Sequence, residues 1–307
     1  CFTFGSAVKN KKQGVVIFMA MFLCLVVALS CIAVTEQVGT PQLAQNGAVN
    51  MSMAEQAGGN MEGKETRFGI AASSTWAAFT TAASNGSVNS MHDSYTPLGG
   101  MVTMLLMQLG EVVFGGVGCG LYGMLAFAIL TVFIAGLMVG RTPEFLGHKV
   151  EAREMKIASI VALLHPFIIL VGTALAAYLF VHAPAFVESE GGWLNNPGYH
   201  GLSEMLYEYT SCAANNGSGF EGLGDNTWFW NYSCGIVLIL GRFVPIVGQV
   251  AIAGILAKKK FIPESAGTLQ TDTVTFGVMT FAVIFIVAAL SFFPVHALST
   301  IAEHLSL

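Results

Sequence analysis

Thr80-Thr81-Ala82-Ala83-Ser84-Asn85-Gly86-Ser87 returns 131 residues later as Ser211-Cys212-Ala213-Ala214-Asn215-Asn216-Gly217-Ser218. Each copy closes a short semi-apolar stretch, Phe68–Ala83 or Tyr199–Ala214, and each is followed by a longer apolar one. The same offset carries Trp76 onto Tyr207 and Gly110-Glu111 onto Gly241-Arg242. Taken singly, either string reads as an ordinary Asn-Gly turn at the end of a helix. Recurrence at a fixed period instead marks a repeated structural unit, in which the two strings hold the same place.

Outward from the strings, the sequence is that of a membrane protein. Of 307 residues, 54% are hydrophobic and 10% charged, against roughly 25% charged in soluble domains. A mean hydropathy of +0.67 leaves too little polar surface for a water-soluble fold. The net charge of −5 offers no reason to expect a nucleic acid partner; the expected solvent is membrane lipid.

A bilayer crossing needs about 20 apolar residues, and Val15–Val34, Ile157–Val181, Tyr232–Ala257 and Val274–Ala297 each supply them. A fifth stretch, Leu98–Gly140, is too long. At 1.5 Å per residue a straight helix of that length reaches ~60 Å, about twice the hydrocarbon thickness. It must break inside the membrane, and the glycines Gly115, Gly116, Gly118 and Gly120 mark the expected gating break. The predicted fold is an all-α integral membrane protein: two span, short helix, span repeats over 1–140 and 141–260, then a C-terminal transmembrane helix over 261–307.

Orientation follows from Lys and Arg counts. Lys9, Lys11 and Lys12, then Arg141, Lys149, Arg153 and Lys156, then Lys258, Lys259 and Lys260 all fall on one side of a five-span layout, which is therefore the inner side. Leu307 and the acidic segment His182–Asn231 fall outside. The opening at Cys1 reads as an internal start, with an upstream portion expected. The six cysteines lack CxxC spacing, so neither a disulfide framework nor a zinc site is expected. Glu111 and Arg242 read as the only charges within the spans, equivalent in depth and natural partners for each other.

Irregular backbone at membrane depth is tolerated only where it is buried in protein or lines an aqueous path. A short helix aimed inward presents unpaired carbonyls and the negative end of its dipole, which attract cations. Glycine lets successive carbonyls turn toward one axis, and carbonyl oxygens replacing a hydration shell are the elements of a potassium filter. The candidate potassium ligands are Thr81, Ser84, Asn85, Gly86 and Ser87 with Asn215, Asn216, Gly217 and Ser218. Two such loops do not surround an ion by themselves.

Longer strings then carry a family resemblance: Asn60-Met61-Glu62-Gly63-Lys64-Glu65, Met91-His92-Asp93-Ser94, Gly110-Glu111-Val112-Val113-Phe114-Gly115-Gly116, Gly140-Arg141-Thr142-Pro143-Glu144 and Glu151-Ala152-Arg153-Glu154-Met155-Lys156, besides the two strings above. Together they resemble the Kdp potassium-binding subunit family. The resemblance implies the third and fourth of four pore repeats with the C-terminal helix, in a bacterial inner membrane. It further implies potassium uptake driven by a P-type ATPase subunit, KdpB, with accessory subunits KdpC and KdpF.

No DKTGT or GxxxxGK[ST] motif is present, so the chain is expected to be non-catalytic and to need no cofactor. A passive channel or symporter of the same superfamily is the first rival and a non-transporting assembly protein the second. His92 and Asp93 read as loop braces. His165, beside Pro166, reads as a packed residue at a kink rather than a proton relay.

Overall fold

The computed structural model describes residues 1–40, 58–110, 112–116, 120–140, 142–263 and 268–307. In chain order the helices are α1 (Phe2–Ala7), α2 (Lys11–Val38), α3 (Gly69–Ala82), α4 (Pro97–Gln108), α5 (Gly120–Val139), α6 (Ala152–His182), α7 (Pro184–Ser189), α8 (Tyr199–Ala213), α9 (Trp228–Leu256), α10 (Val274–Leu298) and α11 (Thr300–Ser306). Among the described residues the only sheet is the hairpin Glu144–Phe145 with His148–Lys149.

Polar caps set where the long helices begin. Asn10 accepts from the Gln13 amide, Thr96 from Gly99, Thr227 from Trp230 and Thr273 from Phe276, while Glu151 and Glu154 form a capping box at α6. Each cap satisfies amides that the first helical turn leaves unpaired. Five helical stretches are long and apolar enough to cross a bilayer: Lys11–Val38, Gly120–Met138, Ala152–His182, Trp228–Leu256 and Val274–Ser306. Large apolar side chains such as Phe167 on α6, Val247 on α9 and Leu290 on α10 are exposed, as hydrocarbon contact demands and water contact would forbid. The chain is an all-α integral membrane protein that crosses the membrane several times.

The repeat exists in space. α2 packs on α3 and α4, and α6 packs likewise on α8 and α9. Small residues allow the close approach expected when lipid supplies no hydrophobic drive: Ala77, Ala78 and Ala82 are buried in α3, and a Cβ on Gly172 of α6 would strike the Tyr209 ring of α8. α10 then packs against α2 and α5, placing the C-terminal helix on the first repeat.

The stretch Leu98–Gly140 does break, but from an earlier point than the glycine run predicts. α4 ends at Gln108, and Gly110 takes φ +87°, followed by Phe114 at +59° and Gly115 at +61°. Gly110 supplies the first left-handed step, and the Met107 carbonyl accepts both from the Gly110 amide at 3.2 Å and from His165 Nε2 at 3.0 Å. His165 is thus a packed helix terminator. Gly241, the equivalent of Gly110, stays inside the continuous α9, where a Cβ would overlap the Ala213 carbonyl oxygen. One glycine position serves a break in the first repeat and a close contact in the second.

The charges within the spans need correction. Glu36, near the end of α2, is fully buried beyond the point where hydropathy closed the first span. Its carboxylate accepts from Lys64 Nζ (2.8 Å), Asn60 Nδ2 (2.9 Å), Thr96 N (2.8 Å) and Thr96 Oγ1 (2.7 Å). Both side chains of the Lys64–Glu36 pair have zero exposure. Removing one partner of such a pair characteristically costs 3–5 kcal/mol, so Glu36 locks the outer loop and the start of α4 to α2.

The basic segments share one end of the molecule. Lys259 Nζ lies 3.0 Å from both Glu151 Oε2 and Glu154 Oε2, and Asn10 Nδ2 donates to Asp272 at 3.2 Å; Arg141 lies outside the described residues. The opposite end gathers Lys64, Asp93, His200 and Glu303. Cysteine labelling of the chain in membranes should therefore reach Ser189→Cys from the outside and Lys258→Cys from the inside only. Labelling of both positions from the same side would refute this layout.

Candidate functional site

α3 and α8 end in loops built to one pattern. Ser84 and Asn215, equivalent at the offset of 131, take φ +50° and +51°, and Gly86 and Gly217 take +80° and +99°. The Asn85 amide donates to Thr80 O at 3.0 Å and the Asn216 amide to Ser211 O at 2.9 Å. Asn85 Oδ1 accepts from Ser87 N at 3.0 Å, and Asn216 Oδ1 accepts from Ser218 N at 3.0 Å. Both are Asx-turns, in which the Asn side chain takes the place of a backbone carbonyl. The Ser87 hydroxyl also binds Asn85 Oδ1, and Ser218 Oγ reaches Asn216 Oδ1 at 2.6 Å.

Bracing extends to the short helices. Trp76 Nε1 donates to Ser87 O at 2.9 Å, and the equivalent Tyr207 places its hydroxyl 2.8 Å from Ser218 Oγ. Thr81 sits in the last turn of α3 rather than in the loop, with its hydroxyl donated back to Ala77 O at 2.6 Å.

The two loops touch each other directly. Asn216 Nδ2 donates to Thr80 O at 2.8 Å, and Ser84 Oγ donates to Ala214 O at 3.0 Å. A Cβ on Gly86 would overlap the Asn216 carbonyl, whereas one on Gly217 would meet nothing within 4 Å. Asn215 Nδ2 reaches Leu238 O at 3.2 Å, about eleven residues or ~16 Å along the 29-residue α9. The strings therefore lie near the mid-length of a span.

The donors are committed to bracing while the loop carbonyls are not. Among the described residues, no hydrogen bond is directed at the carbonyl oxygens of Ser84, Asn85, Gly86, Asn215, Asn216 or Gly217. Oxygen dipoles without a donor, set at the C-terminal ends of two helices, are an environment for a cation.

Beneath the first string lies the break, where Gly115 N donates to Ala82 O at 3.1 Å. A Cβ added to Gly116 would approach Ser84 Cβ at 3.2 Å and Arg242 Nη1 at 3.7 Å, so the first string, the break and Arg242 share one small space. A Cβ on Gly120 would overlap the Phe114 carbonyl. Glu111 and Gly118 lie outside the described residues, and with them the expected Glu111–Arg242 pairing.

A polar relay ties the outer loop to the second string. His92 Nδ1 is 2.8 Å from the Tyr207 hydroxyl, which leads through Ser218 and Asn216 to Thr80 O in the first repeat. His92 is fully buried and, among the described residues, its Nε2 has no partner, so a second proton would find no acceptor there. Burial, assisted by the charge on Lys64, lowers its pKa to about 4. Its neighbour Asp93 accepts from His200 Nε2 at 2.8 Å, while His200 Nδ1 is 2.8 Å from Glu303 on α11. Burial alone would depress His200, but hydrogen bonds to Asp93 and Glu303 prevail and raise it to about 10. His200 is consequently a charged clasp between both repeats and the C-terminal helix, and both expected loop braces are braces.

Residues 1–305 match the family described as KdpA, potassium-transporting ATPase A subunit. The chain belongs to this family. The potassium-transporting ATPase potassium-binding subunit of Phocaeicola vulgatus is 75% identical over 307 residues, which are 100% of this chain and 53% of that protein. The like-named subunit of Bacteroides thetaiotaomicron is 66% identical over 99% of this chain and 52% of its own length. That of Clostridium perfringens is 61% identical over 100% of this chain and 52% of its own length. The chain thus spans about half the length of the curated relatives it matches.

Sequence reading missed Glu36 and His200, whose partners lie 24 or more residues away in sequence. The one available signal was Lys64 inside an otherwise acidic string, a cation in want of a partner.

The glycines should separate in a stability assay. Left-handed backbone costs a side chain about 1–2 kcal/mol, so Gly217→Ala should lose about that much. Gly86→Ala should lose clearly more, through overlap with the Asn216 carbonyl, as a larger drop in melting temperature; equal losses would contradict the contact.

His92 should make the fold acid-sensitive. Its pKa is about 6.5 unfolded and about 4 folded, so its stabilising contribution is intact above pH 6.5 and is lost as pH falls toward 4. The loss is on the order of 3 kcal/mol. Melting curves of His92→Gln should show a weaker decline over that window than the parent protein.

Proposed function

We propose that Ser84–Ser87 and Asn215–Ser218 form two neighbouring segments of a potassium-selective filter, in the potassium-binding subunit of an ATP-driven uptake system. The observation that carries this reading is the set of loop carbonyls at mid-span that, among the described residues, accept no hydrogen bond, while Ser84 Oγ, Asn216 Nδ2 and the Ser87 and Ser218 amides hold the loops in place. Potassium would be bound mainly through backbone oxygens, with Asn and Ser side chains as the frame.

The contact between the strings is head-to-tail. Gly86 of the first repeat abuts the Asn216 carbonyl of the second, whereas Gly217, its equivalent, faces open space. Asn216 reaches back to Thr80, whereas Asn85, its equivalent, is exposed. Heterologous contacts of this kind generate rings when the rotation closes. Further repeats would continue the ring at Gly217 and at Asn85, in keeping with relatives about twice as long.

Arg242 gives the filter a direction. A potassium ion 4 Å from a guanidinium is opposed by about 4 kcal/mol at an effective dielectric constant of 20. Placed beside the break under the first string, this charge closes the straight path inward, and the ion is diverted to a partner. That partner is a P-type ATPase subunit (KdpB), with accessory subunits KdpC and KdpF, in the bacterial inner membrane. This chain performs no hydrolysis itself.

Uptake by the assembled complex in vesicles tests both parts. Gly217→Asp should weaken apparent potassium affinity or selectivity, and Arg242→Met should raise ATP-independent leak or uncouple hydrolysis from uptake. Normal affinity and selectivity in a well-folded Gly217→Asp complex would remove the filter reading. Robust passive flux through the unmodified subunit alone would favour the channel rival.

A further inference from the structure

On the outer half of the second repeat, Glu208, Cys212 and Cys234 point three ligand atoms at one another from two helices. Glu208 and Cys212 are one turn apart on α8, and Cys234 comes from the second turn of α9. Cys212 Sγ lies 3.3 Å and Cys234 Sγ 3.6 Å from the same oxygen, Glu208 Oε1, and the three ligand atoms all lie within 4.8 Å of one another. Both cysteines are free, partly accessible thiols.

We propose that Glu208, Cys212 and Cys234 bind a thiophilic divalent cation, of which Zn2+ and Cd2+ are the fitting examples. Tetrahedral zinc with sulfur at ~2.3 Å and oxygen at ~2.1 Å separates two sulfurs by ~3.8 Å and a sulfur from an oxygen by ~3.6 Å. The observed sulfur–oxygen separations of 3.3 and 3.6 Å already match those edges. With the two sulfurs within 4.8 Å of each other against ~3.8 Å in the complex, binding requires loss of the thiol protons and at most an approach of the two sulfurs of about 1 Å.

Three protein ligands leave a fourth position for water, the form of an exchangeable rather than a closed structural site. Thiolates select soft and borderline cations over potassium, magnesium and calcium, so the transported ion does not compete. A bound cation would cross-link α8 to α9. Spacing in the sequence hides this site, because 22 residues and a helix boundary separate the two cysteines, and the expectation of no zinc-type site rested on that spacing and on the apolar runs around most cysteines.

The test uses the full-length subunit, purified reduced and then titrated with Cd2+ under anaerobic conditions. One equivalent should produce a cadmium–thiolate charge-transfer band, displaced by Zn2+. Cys212→Ala and Cys234→Ala should each abolish the band with helical circular dichroism intact, and Cys31→Ala should leave it unchanged. Glu208→Gln should weaken binding at least about tenfold, since even outer-sphere losses reach that size.

Should a variant fail to fold, maleimide protection in the unmodified protein gives the same answer. Cd2+ should then shield Cys212 and Cys234, located by peptide mass, but not the exposed Cys31. The proposal is overturned by a folded protein that gives no band, by a band surviving in the Cys212→Ala/Cys234→Ala double variant, or by a reductant-resistant Cys212–Cys234 disulfide. None of these readouts depends on potassium transport.

Discussion

A backbone that leaves its helix halfway across a membrane must find hydrogen-bond partners within the protein or line a watery path. The hydrogen bonds from Asn216 Nδ2 to Thr80 O and from Ser84 Oγ to Ala214 O meet that demand. They tie the ends of α3 and α8 together, giving Thr80 O a second donor beside the Asn85 amide and Ala214 O a donor that its own helix end does not supply. The Asx-turns at Asn85 and Asn216 then occupy the Ser87 and Ser218 amides within each loop. Among the described residues, what remains uncommitted is a row of carbonyl oxygens. The side chains that stabilise the loops and the backbone oxygens proposed to bind a cation are thus different atoms of the same few residues.

The same contacts make the two repeats unequal. Asn216 and Ser218 are buried, whereas their equivalents Asn85 and Ser87 are exposed. In the head-to-tail ring proposed above, the covered string is the one that follows a neighbour, and the uncovered string is where a further repeat would dock. The unequal glycines obey the same rule: Gly86 is pressed on a neighbour and Gly217 is not. Sequence symmetry at the offset of 131 therefore coexists with asymmetry of environment, and the direction of that asymmetry defines the order of the repeats around an axis.

Much of this was legible in the sequence because it is local. Apolar length gave the spans, the offset paired Trp76 with Tyr207 and Ser84 with Asn215, and excess length demanded a break between Leu98 and Gly140. The exact place of the break was not legible. Gly110 ends α4 because His165, on another helix, supplies a donor for Met107 O, while Gly241 in the same sequence context stays helical against Ala213. The buried Lys64–Glu36 pair, the His200 clasp and the Cys212–Cys234 approach were hidden for the same reason. Each is made by residues distant in the chain, and a hydropathy window registers charge and apolarity but not tertiary partners.

Charge is distributed so that the strings themselves carry none: Ser84-Asn85-Gly86-Ser87 and Asn215-Asn216-Gly217-Ser218 hold only neutral side chains. A carboxylate 4 Å from a bound ion would add about 4 kcal/mol at an effective dielectric constant of 20. That attraction acts on any cation and so improves affinity without selectivity, and it slows release. Carbonyl dipoles discriminate through the number and placement of oxygens, which requires loops that hold their shape. The neutral relay from His92 through Tyr207, Ser218 and Asn216 to Thr80 supplies that rigidity without placing a charge beside the strings. Charged groups flank the strings instead: the outer clasp at Asp93, His200 and Glu303, Glu208 Oε2 at 3.6 Å from where a Cβ on Gly219 would sit, and Arg242 below; in the filter proposed above, dipoles would receive the cation and these charges would steer it.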